Sequence, residues 1–197
     1  MSAILLTMSA NASAKAELRS EVRALLDTTP SDVLKNASAK ISRAISPVSG
    51  TNCALFAGTS REPQLLSLLD HSDARWFLPR VIGPGLMTFH QVTSKTPLSK
   101  GAFGILEPST DAPELSPEDL DLILCPGLAF STSGLRLGQG GGYYDRYLTK
   151  ASRAKLVGIA FDLQVRNSIP GDPHDISMHE IISESRHLTI STPEQQD

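Results

Sequence analysis

The chain has 197 residues, enough for one domain with a substantial core, or one domain with an extension. Its formal charge of -3, with Lys and Arg scattered and no basic tract, excludes a nucleic-acid-binding face and confines any cationic site to a local pocket. No apolar run approaches a membrane span, and the start M-S-A-I-L-L-T-M lacks a positive leader and a long apolar core, so a cytoplasmic protein without a membrane partner is expected.

Residues 1–13 read as a disordered extension, and initiation could even fall at Met8. A helix is predicted over 14–26, where Leu18, Val22, Leu25 and Leu26 recur at helical spacing. Lys15, Arg19 and Arg23 lie four apart and line one face of it; from periodicity alone such a stripe is a solvated surface. Pro30-Ser31-Asp32 restarts a helix with Val33, Leu34, Ala37, Ile41 and Ile45 inward, ended by 47–52. A buried strand at 53–56 follows. Glu62-Pro63 then opens another predicted helix, with proline near the first position and Leu65, Leu66, Leu68 and Leu69 packing inward. Strands are predicted at 75–78, stopped by Pro79, and at 86–92. The stretch 99–108 reads as a loop with an exposed Glu107, and 111–119 as an acidic surface connection.

The most informative stretch is 121–150. An apolar run, 122–125, is stopped by Pro126-Gly127, and a helical pattern occupies 143–148. Between them lie Arg136, Leu137, Gly138, Gln139, Gly140, Gly141 and Gly142. Glycines ahead of a helix allow a sharp turn with N–H groups outward, a site for an anion such as phosphate, and Asp145 one turn on could hold a hard cation beside it. Neither a P-loop nor a dinucleotide fingerprint matches, since Tyr143 stands where those motifs need lysine or glycine. A buried strand at 155–161, a tight acidic turn at 171–175, a last strand at 187–190 and a frayed tail at 191–197 complete the chain. Cys53 and Cys125 read as buried apolar residues, and the five histidines as structural or surface residues. Strands alternating with helices imply an α/β fold: an open, mostly parallel sheet with helices on both faces, a Rossmann-like three-layer sandwich over 14–190.

In combination these motifs resemble the 5-formyltetrahydrofolate cyclo-ligase family, also called methenyltetrahydrofolate synthetase. The core of the resemblance is R-L-G-Q-G-G-G-Y-Y-D-R at 136–146; K-A-E-L-R at 15–19, Glu62-Pro63, L-P-R-V at 78–81, Met87 before Phe89, G-I-L-E-P at 104–108 and P-H-D at 173–175 follow in the same order. The resemblance implies ATP- and Mg²⁺-dependent closure of 5-formyltetrahydrofolate, as mono- or polyglutamate, to 5,10-methenyltetrahydrofolate. ADP and phosphate are released through a phosphorylated formyl intermediate. It implies ATP binding by Lys15, Arg19, Arg136 and the run from Leu137 through Gly138, Gln139, Gly140, Gly141 and Gly142 to Tyr143, Tyr144 and Asp145. Asp145 and Asp175 would hold Mg²⁺. Glu62, Met87, Phe89, Glu107, Tyr143 and Tyr144 would contact the folate, and Lys15, Arg136 and Tyr143 would serve the chemistry of a monomeric enzyme. Two alternatives stay open: a non-catalytic paralogue that binds nucleotide or folate, and a sugar-phosphate isomerase or acyl-CoA transferase on a similar sheet.

Overall fold

The structure is a computed structural model describing residues 2–70, 73–172 and 175–191, with side chains described from 11 onward. The elements in chain order are α1 (Ser2–Thr28), α2 (Ser31–Ala44), β1 (Asn52–Ala54), β2 (Arg75–Gly83), β3 (Leu86–Val92), β4 (Leu98–Lys100), β5 (Leu106–Pro108), β6 (Glu114–Leu115) and β7 (Leu122–Cys125). They continue with β8 (Ala129–Ser131), β9 (Arg136–Leu137), α3 (Tyr143–Leu148), β10 (Lys155–Ile159), β11 (Val165–Arg166), β12 (Glu180–Ile182) and β13 (His187–Thr189). The main sheet has the order β13-β12-β10-β7-β1-β2-β3-β6. Its centre, from β12 to β2, is parallel, and both flanks are antiparallel.

Side-chain alternation along the central strands builds two cores. Cys53, Leu55, Trp76, Leu78, Leu124, Val157 and Ile159 point to one face, where Val22 and Leu26 of α1 and Ala37 and Ile41 of α2 cover them. Ala54, Phe77, Ile123, Cys125 and Leu156 point to the other, under Tyr147 and Leu148 of α3. Helices on both faces of a mainly parallel sheet are the predicted three-layer arrangement.

The element boundaries differ from expectation in four places. Helix α1 begins at Ser2 rather than at residue 14, through a stretch holding Ala3, Ala10 and Ala12 and neither glycine nor proline. No α-helix opens at Glu62; a 3-10 turn at Leu66–Asp70 takes its place. Local side-chain bonds compete with the helix there: the Glu62 carboxylate accepts from Thr59 N (3.0 Å), and the Gln64 amide donates to the carbonyls of Thr59 and Glu62. Pro79 does not stop β2, which runs to Gly83. It lies beyond Phe77, the last residue that β2 pairs with β1, so its missing N–H breaks no bond on that side. The predicted loop at 99–108 is a hairpin of β4 and β5, with register Leu98↔Pro108 to Lys100↔Leu106. The region between β7 and the glycines holds β8 and β9, which form a further small sheet with β11 in the order β11-β8-β9. Residues 173–174 of the P-H-D turn and the expected frayed tail from 192 onward lie outside the described residues.

Among the described residues no helix is long and apolar enough to cross a membrane. Both cysteines are free and buried, and burial pushes the Cys125 thiol up to about 12, so it stays neutral as a packing group. His90 is buried between Thr88 Oγ1 and the Ala112 carbonyl, His179 accepts from Leu156 N (2.8 Å), and His187 meets Glu180.

Candidate functional site

In an open α/β sheet, ligands sit beyond the carboxyl ends of the strands, where successive strands leave in opposite directions. That point here is β1, flanked by β2 on one side and β7 on the other. Phe56 and Ala57 after β1, Pro126 and Gly127 after β7, and Pro79 and Val81 where β2 runs on past its pairing with β1 line one cavity of about 560 Å³. The glycine-rich run, α3 and the β4–β5 hairpin close its remaining sides.

The cavity lining brings Glu62, Met87, Glu107, Tyr143 and Tyr144 together. Glu107 is not the exposed loop residue expected. It is 3% accessible, accepts from Val81 N and Ala102 N (both 3.3 Å), and has Arg80 at 3.8 Å. Glu62 is also buried. Two carboxylates facing one mostly apolar cavity can accept from a ligand rich in N–H donors. Phe89 does not reach the cavity: it is fully buried and supports the wall from behind, with its ring centre 4.9 Å from Tyr147 and 6.5 Å from Tyr144.

The same lining includes Arg136, Gly138, Gln139, Gly141, Gly142 and Asp145. Arg136 has a nearly buried side chain, donates to the Pro126 carbonyl (3.1 Å), lies 5.5 Å from the Tyr144 ring centre and pairs with Asp145. Leu137 turns its side chain into the core, so only its backbone is available to the site. Gly142 precedes α3 at φ 67, a left-handed conformation that side chains resist. With six residues, α3 is too short for its dipole to dominate. The loop's own peptides matter more. Arg19 Nε donates to the Gly138 carbonyl (2.9 Å), Arg23 to that of Gln139 (3.3 Å) and Arg146 to that of Gly141 (2.6 Å). Because C=O and the following N–H are antiparallel in a trans peptide, the N–H groups of Gln139, Gly140 and Gly142 point away from these arginines. That leaves donors for an anion.

The basic stripe of α1 is therefore not a solvated face. Lys15 lies one turn before Arg19 and bonds Asp172 (2.6 Å) and Asp175 (3.0 Å), outside the cavity wall. Asp145 and Asp175 are thus held by different cations, and among the described residues no group of three or more metal-ligating side chains occurs. Burial works against the Lys15 charge, but its hydrogen bonds to Asp172 and Asp175 outweigh this and raise its pKa above 10.5. A raised folded-state pKa means the stabilisation is complete below the unfolded value and is lost as pH rises through the folded one. Urea midpoints of the natural chain and Lys15→Gln should therefore converge above pH 10.5. A constant gap would show that the ion pairs carry no stability.

Sequence reasoning missed several cavity residues. Thr59 and Arg61 are on the rim, and Arg61 is fixed in bidentate fashion to Asp27 (2.6 and 2.8 Å). Phe103, 77% exposed and at φ 57, packs edge-on to Tyr143 with ring centres 5.8 Å apart. An aromatic bracketed by Gly101 and Gly104 in a polar stretch was the available signal.

Relatives fit this geometry. The profile of the 5-formyltetrahydrofolate cyclo-ligase family matches residues 9–184. The 5-formyltetrahydrofolate cyclo-ligase of Mycolicibacterium smegmatis is 32% identical over 150 residues, covering 72% of this chain and 77% of its own. That of Escherichia coli K12 is 31% identical over 137 residues, covering 66% and 75%. The NMR structure of Aquifex aeolicus 5,10-methenyltetrahydrofolate synthetase superposes with a TM-score of 0.80 at 29% identity, over 93% of this chain and 96% of that one. With its motifs, fold and cavity in agreement with that profile, the chain belongs to the 5-formyltetrahydrofolate cyclo-ligase family.

Proposed function

We propose that this protein is a 5-formyltetrahydrofolate cyclo-ligase that converts 5-formyltetrahydrofolate and ATP to 5,10-methenyltetrahydrofolate, ADP and phosphate. The observation that carries the reading is a single cavity lined by two kinds of group. Buried carboxylates and apolar side chains suit a pterin, and a glycine loop with Arg136 suits a polyphosphate. Phosphoryl transfer asks a protein mainly for positioning and charge neutralisation, and this cavity is equipped for both.

Glu62 and Glu107 would accept from the pterin's amino and ring N–H groups, with Met87 against the ring. Tyr144 carries a buried hydroxyl with no partner among the described residues, and burial raises its pKa well above 10, so it remains a proton donor in search of an acceptor. The glycine N–H groups, Arg136 and the free nitrogens of Arg19 would hold the phosphates. The formyl oxygen attacks the γ-phosphate and ADP leaves; the folate N10 then attacks the activated carbon, closing the ring as phosphate departs. The N10 proton leaves as the ring closes and can be taken up by the departing phosphate, so no protein base is required.

Magnesium fits the donor set through Asp145, whose side chain is 69% exposed on the phosphate side of the cavity; bound there, the ion would neutralise phosphate charge. One carboxylate suffices when phosphates and water supply the other oxygens. Asp175 would join it only after exchanging Lys15 for the metal. Absorbance at the methenyl band should rise only when 5-formyltetrahydrofolate, ATP and Mg²⁺ are all present. A flat trace from folded protein beside an active relative would remove the assignment.

A further inference from the structure

Arg146 lies on α3 and is exposed, yet two of its side-chain nitrogens are engaged. Its Nε donates to the Gly85 carbonyl (2.9 Å) in the β2–β3 turn, and its Nη2 to the Gly141 carbonyl (2.6 Å) in the glycine-rich loop. Room for the guanidinium exists because both neighbouring positions are glycine. A Cβ on Gly85 would lie 1.8 Å from Nη2, and one on Gly142 2.8 Å from Nη1.

The two segments it joins differ in rigidity. The turn closes a long antiparallel ladder, paired from Trp76↔Val92 to Gly83↔Leu86 with one register shift between Val81 and Gly83. Residues 138–142 pair with no strand; Arg19 and Arg23 of α1 hold the 138–139 end, and Arg146 holds the 141 end. Without that bond the Gly141 carbonyl could rotate, and the antiparallel N–H of Gly142 would rotate with it.

We propose that Arg146 is a positioning residue that fixes the glycine-rich loop against the β2–β3 hairpin and thereby sets affinity for the phosphate-bearing substrate. This rests on the ATP reading of the loop given above. A loop already held in its bound conformation loses less entropy on binding, so releasing it weakens the complex without altering the chemical step. Met87 on the ladder, Glu107 bonded to Val81 N of β2 and Glu62 bonded to Thr59 N are held by contacts that do not involve Arg146, so these folate-facing groups keep their places.

Steady-state kinetics on Arg146→Ala should show the KM for ATP raised about tenfold, the size expected from losing a charge-assisted hydrogen bond, with kcat and the KM for 5-formyltetrahydrofolate within about twofold. Arg146→Lys, able to reach one carbonyl but not both in the same geometry, should fall between. Hydrogen–deuterium exchange of the nucleotide-free protein supplies a readout independent of turnover: uptake across 138–148 should rise in Arg146→Ala while 75–83 is unchanged. Equal rises in both KM values, an unchanged KM for ATP, or uptake raised equally in both segments would overturn the proposal. If the natural chain shows no turnover but the exchange difference is present, the tether stands and the catalytic reading falls.

Discussion

Asp145→Asn should reduce turnover by at least about a hundredfold, the scale of losing one group that stabilises transferring charge, while the melting temperature hardly moves. The separation follows from geometry. The Asp145 side chain is 69% exposed and its protein partner is Arg136, which keeps the Pro126 carbonyl and the Tyr144 ring when the carboxylate is gone. Solvent screens the exposed carboxylate end of the pair and Arg136 keeps its other partners, so about 1 kcal/mol or less is lost. Asparagine retains an acceptor oxygen for Arg136 but not the negative charge that a hard cation requires. Turnover measured across a magnesium series, beside thermal melts, tests both halves. A variant with near-normal turnover would remove Asp145 from the metal, and a loss of activity that tracked unfolding would make its role structural.

Glu107→Ala should have the opposite profile, a large loss of stability. The carboxylate is buried where two backbone N–H groups, on β2 and on the β4–β5 turn, converge on Oε1, with Arg80 beside Oε2. Truncation leaves those donors unsatisfied, at about 1–3 kcal/mol each. For a chain of this size each kcal/mol lowers the melting temperature by roughly 2–4 °C, so a fall of about 5–15 °C is expected. Glu107→Gln keeps an acceptor for both N–H groups and should recover most of that stability. Because the amide lacks the charge that would face the pterin, the KM for 5-formyltetrahydrofolate should still rise. A Glu107→Ala protein melting with the natural chain would show that the hairpin does not depend on this carboxylate. A Glu107→Gln protein with unaltered KM would remove Glu107 from the folate.

How much of this was legible differs by kind of signal. Strands β3, β7 and β10 and helix α2 were readable because each carries its own apolar pattern between breakers. Glu62-Pro63 misled because a proline near a helix start is also what a tight turn uses, and only the Thr59 and Gln64 partners decide between them. Strands β8, β9 and β11 are too short to show a period, and exist because they pair with one another. In the site, the glycine run and Asp145 announced themselves by spacing. Phe103 was marked only by its flanking glycines, and Arg61, an isolated cation in a loop, by no pattern at all.

From residue order alone came the fold class, the glycine-rich turn between strand and helix, and the regular placement of Lys15, Arg19 and Arg23, because local spacing and backbone freedom are properties of neighbouring residues. What needed the tertiary structure was partnership: Lys15 with the late aspartates, Arg19 and Arg23 with the loop carbonyls, Glu107 inside rather than outside, and the gathering of carboxylates, tyrosines and the glycine loop around one cavity. Those pairings join positions far apart in the chain, and a charge or carboxylate has no fixed role until packing decides whether water or another residue faces it.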